Sequence, residues 1–300
     1  MLGKEIVSHL TISQAPLMSI SIMALLHVLL FPLVLLLSPR TSTAAYTSAY
    51  PYSLCEGDNF AAGSIFQSNL NALLYSLSST NVSTFVTDDK GSPPKRAYGV
   101  FLCRGDIASL SSCRDCARNA TKNILQLCPF SKEATAWYET CQLRYSDLSS
   151  FDDIQTLADS DGQKVKDPDT FNKLQRELLE KIFDQAAYNS TIMFATGTAS
   201  VRAGDSPEVY GLAQCTRDIS KDKCYQCLQQ NFGDRSQDFA GKRGAIILAK
   251  SCNFRYEVFK FFEGVPAVSL TPSPPVASPP PSTTGLTQQN NDKGNKRINV

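Results

Sequence analysis

The spacing of the cysteines constrains this chain more than any other feature. The stretch AYGVFLCRGDIASLSSCRDC at 97–116 is answered by VYGLAQCTRDISKDKCYQC at 209–227. Each carries Tyr-Gly, apolar residues, a cysteine, an Asp and then Cys-x2-Cys. From the last of these cysteines to the next is 25 positions in both copies, Cys116 to Cys141 and Cys227 to Cys252. The endings CQLRYSDLSSF and CNFRYEVFKFF match as well. A repeat of about 110 residues is too long for a solenoid unit and suits a small domain. The chain is a duplication.

Each copy has a helical stripe upstream of its cysteines. In the first, Ile65, Phe66, Leu70, Leu73, Leu74 and Leu77 fall at helical spacing; in the second, Phe171, Leu174, Leu178, Ile182 and Phe183 do. Both stripes read as core packing. A shorter helix is predicted from the Cys-x2-Cys of CRDCARNATKNILQL. The β-branched and aromatic clusters RAYGVFL, EVYGLAQ, ATAWYETCQLRYS and GAIILAKSCNFRYEVF read as strands. Each copy is therefore expected to be α+β, an antiparallel sheet covered on one side by helices.

The apolar run Pro16–Leu37 precedes a small-residue tract and reads as a cleaved secretory signal covering 1–45. At 22 residues it is also long enough to span a bilayer, so an uncleaved anchor is the alternative. All ten cysteines follow it, an even number that implies a disulfide framework in an oxidising compartment. Sequons at Asn81, Asn119 and Asn189 agree with export. The two histidines, His9 and His27, lie within the expected signal. An exported chain without histidine holds no Ser-His-Asp triad, Cys-His pair or His-bearing zinc site. No catalytic residue, metal site or cofactor is expected. A formal net charge of +1 without a basic stripe argues against nucleic acid.

The first copy has six cysteines and the second four; the two missing correspond to Cys55 and Cys128. Their joint absence is natural if they bond each other, which reduces fifteen connectivities to three. Cys103, Cys113, Cys116 and Cys141 then choose among 103–113/116–141, 103–116/113–141 and 103–141/113–116. The last would be a redox-type Cys-x2-Cys, but no βαβ pattern leads into it. Zinc needs two knuckles of close spacing, and each copy has one. Arg104-Gly105-Asp106 becomes Thr216-Arg217-Asp218 in the second copy. Only the Asp persists, so the tripeptide reads as a turn after a strand rather than an adhesion motif.

Tyr-Gly-x3-Cys-x8-Cys-x2-Cys followed by SCNFRYE resembles the plant domain of unknown function 26, the ginkbilobin-2-homologous cysteine-rich repeat. The second copy fits the spacing; the first carries one extra residue between Cys103 and Cys113. The resemblance implies two tandem domains, 50–152 and 160–263, each a five-stranded antiparallel sheet with two helices. A proline-rich stalk and polar tail would follow over 264–300. It implies bonds 55–128, 103–113 and 116–141 and, by position, 215–224 and 227–252. In the sugar-binding pattern of ginkbilobin an Asn after the first cysteine, an Arg and a Glu hold mannose. The first copy has Glu56, Thr135 and Ser146 there; the second keeps Glu257, with Arg243 nearby but not aligned. Glu257 pairing with a neighbouring basic group is the preferred reading over a ligand role.

The resemblance thus implies a non-catalytic binding or sensing module of the cell surface or apoplast. Its partner would be a cell-wall or mannose-type glycan, or a cell-surface co-receptor. A secreted antifungal effector and a truncated receptor-kinase ectodomain are the alternatives. Membrane association is expected only from an uncleaved N-terminus or a membrane helix encoded further along the parent transcript. On the chain-entropy model, the roughly 74-residue loop closed by Cys55–Cys128 contributes about 4 kcal/mol, against about 2.7 for a ten-residue loop. The second copy lacks that bridge. The second copy is therefore expected to be the less stable unless packing against the first compensates, and hydrogen exchange that finds the second copy better protected than the first overturns this expectation.

Overall fold

A computed structural model describes residues 50–79, 83–149, 156–200 and 207–270. The expected signal, the Asn81 sequon and the polar tail lie outside these residues. The first copy contains β1 (Tyr52–Asn59), α1 (Ile65–Leu77), β2 (Phe85–Lys90), β3 (Ala97–Cys103), α2 (Leu110–Leu127), β4 (Ser131–Trp137) and β5 (Cys141–Ser146). The second repeats the order with β6 (Thr156–Ser160), α3 (Pro168–Asp184), β7 (Phe194–Ala199), β8 (Val209–Cys215), α4 (Lys221–Arg235), β9 (Ala245–Ala249) and β10 (Cys252–Glu257). A short β11 (Val268–Leu270) ends it.

Local chemistry sets the helix ends. Ser64, Ser109, Asp167 and Ser220 each cap a helix by accepting a hydrogen bond from the backbone N–H three residues on. Capping by Ser109 starts α2 three residues ahead of the Cys-x2-Cys, earlier than periodicity alone suggested. Pro168 opens α3, where its missing N–H costs nothing. α3 runs on into a π-helical turn, Gln185–Asn189. Ile65, expected in the leucine stripe, is instead exposed at the first position of α1.

The first sheet has the order β1-β4-β5-β3-β2, with every neighbouring pair antiparallel. The second has the order β11-β7-β8-β10-β9-β6. Its five repeat-derived strands are antiparallel; β11 adds a sixth, parallel to β7. This corrects the five-strand expectation for the second copy and shortens the expected stalk. Val268 and Leu270 flank Ser269 and pack on the second core, so the chain pairs with the free edge of β7 between Pro266 and Pro272. The second sheet also starts at Thr156, ahead of residue 160.

Helices cover one face of each sheet. In the first copy Leu70, Leu73, Phe101, Leu143 and Tyr145 form that core; in the second Leu178, Ile182, Phe183, Phe254 and Tyr256 do. The disulfides are Cys55–Cys128, Cys103–Cys113, Cys116–Cys141, Cys215–Cys224 and Cys227–Cys252. They tie β1 to the end of α2, β3 and β8 each to the helix after it, and those helices to β5 and β10. No cysteine is free. Among the described residues no helix is long and apolar enough to cross a membrane.

The repeated Tyr-Gly has a packing cause. A Cβ on Gly99 would sit 2.8 Å from Leu77 Cδ1, and one on Gly211 would sit 2.6 Å from Ile182 Cδ1. Leu77 and Ile182 are fully buried and have nowhere to retreat. Glycine lets the long helix lie directly on the strand. Gly211→Ala should therefore cost about 1–3 kcal/mol by overpacking. Urea denaturation measures this, and a neutral substitution would show that the helix can shift.

Candidate functional site

β5 and β10 alternate by residue type. On β5, Cys141, Leu143 and Tyr145 face the helices, and Gln142, Arg144 and Ser146 face away; on β10, Cys252, Phe254 and Tyr256 alternate with Asn253, Arg255 and Glu257. Such alternation ordinarily marks a solvated polar face. Here the two copies meet through these faces. Trp137, Ile246 and Leu248 form a small apolar cluster between them, with Tyr50, Tyr52, Leu54 and Leu157 around it. Gln142, Arg144, Ser146, Arg255 and Glu257 are buried beside it.

The two arginines bind across the join. Arg144, 1% exposed, donates to the Lys250 carbonyl (2.7 Å) and Ser251 Oγ (3.0 Å) and pairs with Asp218. Its repeat counterpart Arg255 pairs with Glu139 of the first copy (3.2 Å) and Glu257 of its own strand (2.9 Å). Gln142 donates to the Lys250 carbonyl (2.7 Å), and Gln214 to the Cys103 carbonyl (2.9 Å). Tyr52 donates to Asp159. Each interior charge is thus matched by a group of opposite sign, without which burial would cost several kcal/mol.

The loop after each central strand engages the other copy. Arg104 holds Asp106 (2.7 Å) and Glu139 (2.9 Å) and reaches the Phe261 carbonyl (3.4 Å). Asp106 accepts the Glu263 N–H (2.8 Å), and a Cβ on Gly105 would clash with Phe194. The Arg-Gly-Asp tripeptide is therefore a joint between the copies. In the matching loop Arg217 donates to Thr84 (3.2 Å) and lies over the Phe85 ring. Phe85 and Phe194 open the corresponding strands, β2 and β7.

One corresponding pair differs in charge. In the turn before β5 stands Glu139, 45% exposed; in the turn before β10 stands Lys250, 4% exposed. Lys250 points into the first copy, where it meets Glu56 (2.7 Å) and Glu133 (2.6 Å). Burial would lower the Lys250 pKa, but the hydrogen bonds Lys250 donates to Glu133 and Glu56 outweigh this and raise the value. Glu56, Thr135 and Ser146, the first-copy positions of the sugar pattern, all lie in this join, with Thr135 and Ser146 buried.

The structure does not bring Glu257 and Arg243 together. Glu257, 2% exposed, lies against Gly244, where a Cβ would be 1.8 Å from its Oε2. Arg243 is exposed and donates to the Gln163 side chain (2.7 Å). Of the two candidate ligand residues, Glu257 is thus an interior carboxylate held by Arg255 and Arg243 a surface arginine. Asn119 is exposed on α2, and Asn189 is exposed at the end of the π-helical turn, its amide 3.3 Å from Asp184. Among the described residues no cluster of His, Cys, Asp or Glu could hold a metal ion.

Beside the apolar cluster the sheets leave a half-open crevice of about 40 Å³. Leu102, Trp137, Gln142, Leu212, Ile246 and Leu248 are in its wall, with Tyr50, Arg104, Glu139, Arg255 and Phe261 also lining it. Burial, with Glu139 beside it, pushes the Tyr50 phenol well above its ordinary range. The Arg255 guanidinium stacks over the Phe261 ring at 4.4 Å. Sequence reasoning missed this crevice. The signal available was the alternation Gln-x-Arg-x-Ser, which marks a polar face without saying that a second sheet covers it.

Two stapled α+β domains locked by a buried polar join define a tandem cysteine-rich module. The family model described as "Salt stress response/antifungal" matches residues 54–148 and 158–258, and the chain belongs to that family. It is 36% identical to Cysteine-rich repeat secretory protein 38 of Arabidopsis thaliana, covering 68% of this chain and 81% of that one. It is also 36% identical to an Antimicrobial ginkbilobin-2-like protein of Castanea crenata, covering 71% and 88%. Identity to Cysteine-rich receptor-like protein kinase 6 of Oryza sativa subsp. japonica is 34%, over 83% of this chain but only 37% of the kinase. The tandem DUF26 ectodomain of the Arabidopsis thaliana cysteine-rich receptor-like protein PDLP5 superposes with a TM-score of 0.54 at 26% identity, covering 70% and 98%.

The buried carboxylate gives the join a pH dependence. Burial raises Glu257 to about 7; Arg255 pulls it down, and Asp161 and Glu139 push it further up. A carboxyl whose folded pKa exceeds its unfolded value, 4.5, favours the fold fully below the unfolded value. That contribution, about 3 kcal/mol at one pKa unit per 1.36 kcal/mol, is lost as pH rises through 7. Urea denaturation between pH 5 and 8 should show the stability difference between the native protein and Glu257→Gln changing in this sense. Parallel curves would show that Glu257 does not titrate in this window.

Proposed function

We propose that this chain is an extracellular, non-catalytic recognition module in defence or stress signalling, and that the clasped pair meets a cell-surface protein as one body. The observation that carries the reading is the insertion of Lys250 between Glu56 and Glu133. Together with the burial of Thr135, Ser146 and Glu257, it supports a docking role for the sugar-pattern positions. A mannose-type ligand at those positions would have to part the copies and leave buried charges unmatched. The secretory and receptor-like names of the relatives support placement outside the cell. A second reading, a free antifungal effector, is favoured by the antimicrobial relative, 88% of which is covered.

The test uses the chain secreted and purified oxidised. It should bind plant protoplasts saturably, lose that binding when surface proteins are first shaved by protease, and release no reducing ends from cell-wall polysaccharide. Calorimetry with mannose should give no heat. Mannose binding that disappears in Glu257→Ala would overturn the reading, and arrest of fungal growth by the purified protein would favour the effector.

A further inference from the structure

We infer that the crevice between the copies binds a small uncharged hydroxylated aromatic, phenol being the simplest case. Two polar atoms in its wall have no hydrogen-bond partner: Trp137 Nε1, a donor, and Gln142 Oε1, an acceptor. Trp137 is 2% exposed and Gln142 4%. The amide orientation is fixed, because Gln142 Nε2 already donates to the Lys250 carbonyl. Leaving such groups buried and unmet costs about 1–3 kcal/mol each. One hydroxyl meets both needs, accepting from the indole and donating to the amide.

The rest of the cavity selects the body that carries the hydroxyl. Leu102, Leu212, Ile246 and Leu248 supply aliphatic walls from both copies, so neither copy forms the site alone. A sugar would set most of its hydroxyls against these walls, whereas an aromatic ring with one hydroxyl would not. The mouth offers flat partners in Tyr50, Phe261 and the stacked Arg255 guanidinium. Its charges are already engaged, since Arg104 and Arg255 share Glu139 and each has a second carboxylate. An anion would compete with Glu139 for them, and a neutral ligand leaves the pairs intact. At the repeat-related place Lys250, the counterpart of Glu139, is instead buried between its two carboxylates. The inference goes beyond the recognition reading and does not rest on it.

Trp137 is the only tryptophan of the chain, so its fluorescence reports on the site directly. Phenol, titrated into the full chain with excitation at the red edge of the indole band, should change the emission saturably. Toluene, which lacks the hydroxyl, should bind about tenfold more weakly or worse. Gln142→Leu should lose a similar factor for phenol. Leu248→Phe, which fills the cavity without touching a hydrogen bond, should abolish the response while near-ultraviolet circular dichroism stays native. No saturable response to phenol, as expected of a cavity that holds only water, overturns the inference. So does an equal response to toluene, or a phenol response that survives Leu248→Phe. None of these outcomes bears on protoplast binding, which tests the recognition reading separately.

Discussion

The burial of Arg144 and Arg255 is the constraint on which the rest of the structure depends. Each stands at the centre of a strand whose other side is core, and each points away from that core. In a lone domain the guanidinium would face water. With a second sheet over it, the charge needs an opposite charge and acceptors at fixed distances. Asp218, the Lys250 carbonyl and Ser251 supply these for Arg144; Glu139 and Glu257 supply them for Arg255. Most of these partners lie in the opposite copy. The duplication is therefore one structure built of two, held in register by groups that tolerate little displacement.

The repeat also departs from symmetry where two corresponding positions cannot both be large. Glu133 in the first copy corresponds to Gly244 in the second, and Ser146 corresponds to Glu257. In the first copy the carboxylate comes from β4 and a serine makes room on β5; in the second it comes from β10 and a glycine makes room before β9. The exchange of Glu139 for Lys250 has a larger effect. It buries a cation on one side of the join and places a half-exposed carboxylate beside the crevice on the other, so two near-equal domains present unlike surfaces.

Much of the fold was legible because its strongest signals are local. Leucine spacing marked α1 and α3, β-branched and aromatic runs marked the central strands, and the cysteine pattern marked the duplication. Edge strands were harder. FVTDDK and FATGTA alternate weakly, and Val268–Leu270 sits next to a proline tract that dominates the composition. The join was not legible at all. Gln142 and Arg144 look the same in sequence whether water or another sheet covers them, since alternation records the period of the strand and not what lies above it. The same limit applied to Glu257, whose pairing with a near neighbour was readable but whose enclosure was not. The Arg-Gly-Asp turn was identified as a turn; that it clamps onto Phe194 and Glu263 required the tertiary arrangement.

The strand Val268–Leu270 determines where the chain leaves the fold. Because it runs parallel to β7, a pull on the proline-rich segment beyond it acts along the strand axis. Its hydrogen bonds then share the load together rather than opening one at a time. Tension would enter the second sheet first and reach the other domain through the chain between the copies and through the join, its apolar cluster and its ion pairs together. The strand pairing of Val268–Leu270 thus stands between the end of the chain and the second core, which takes load before the join does.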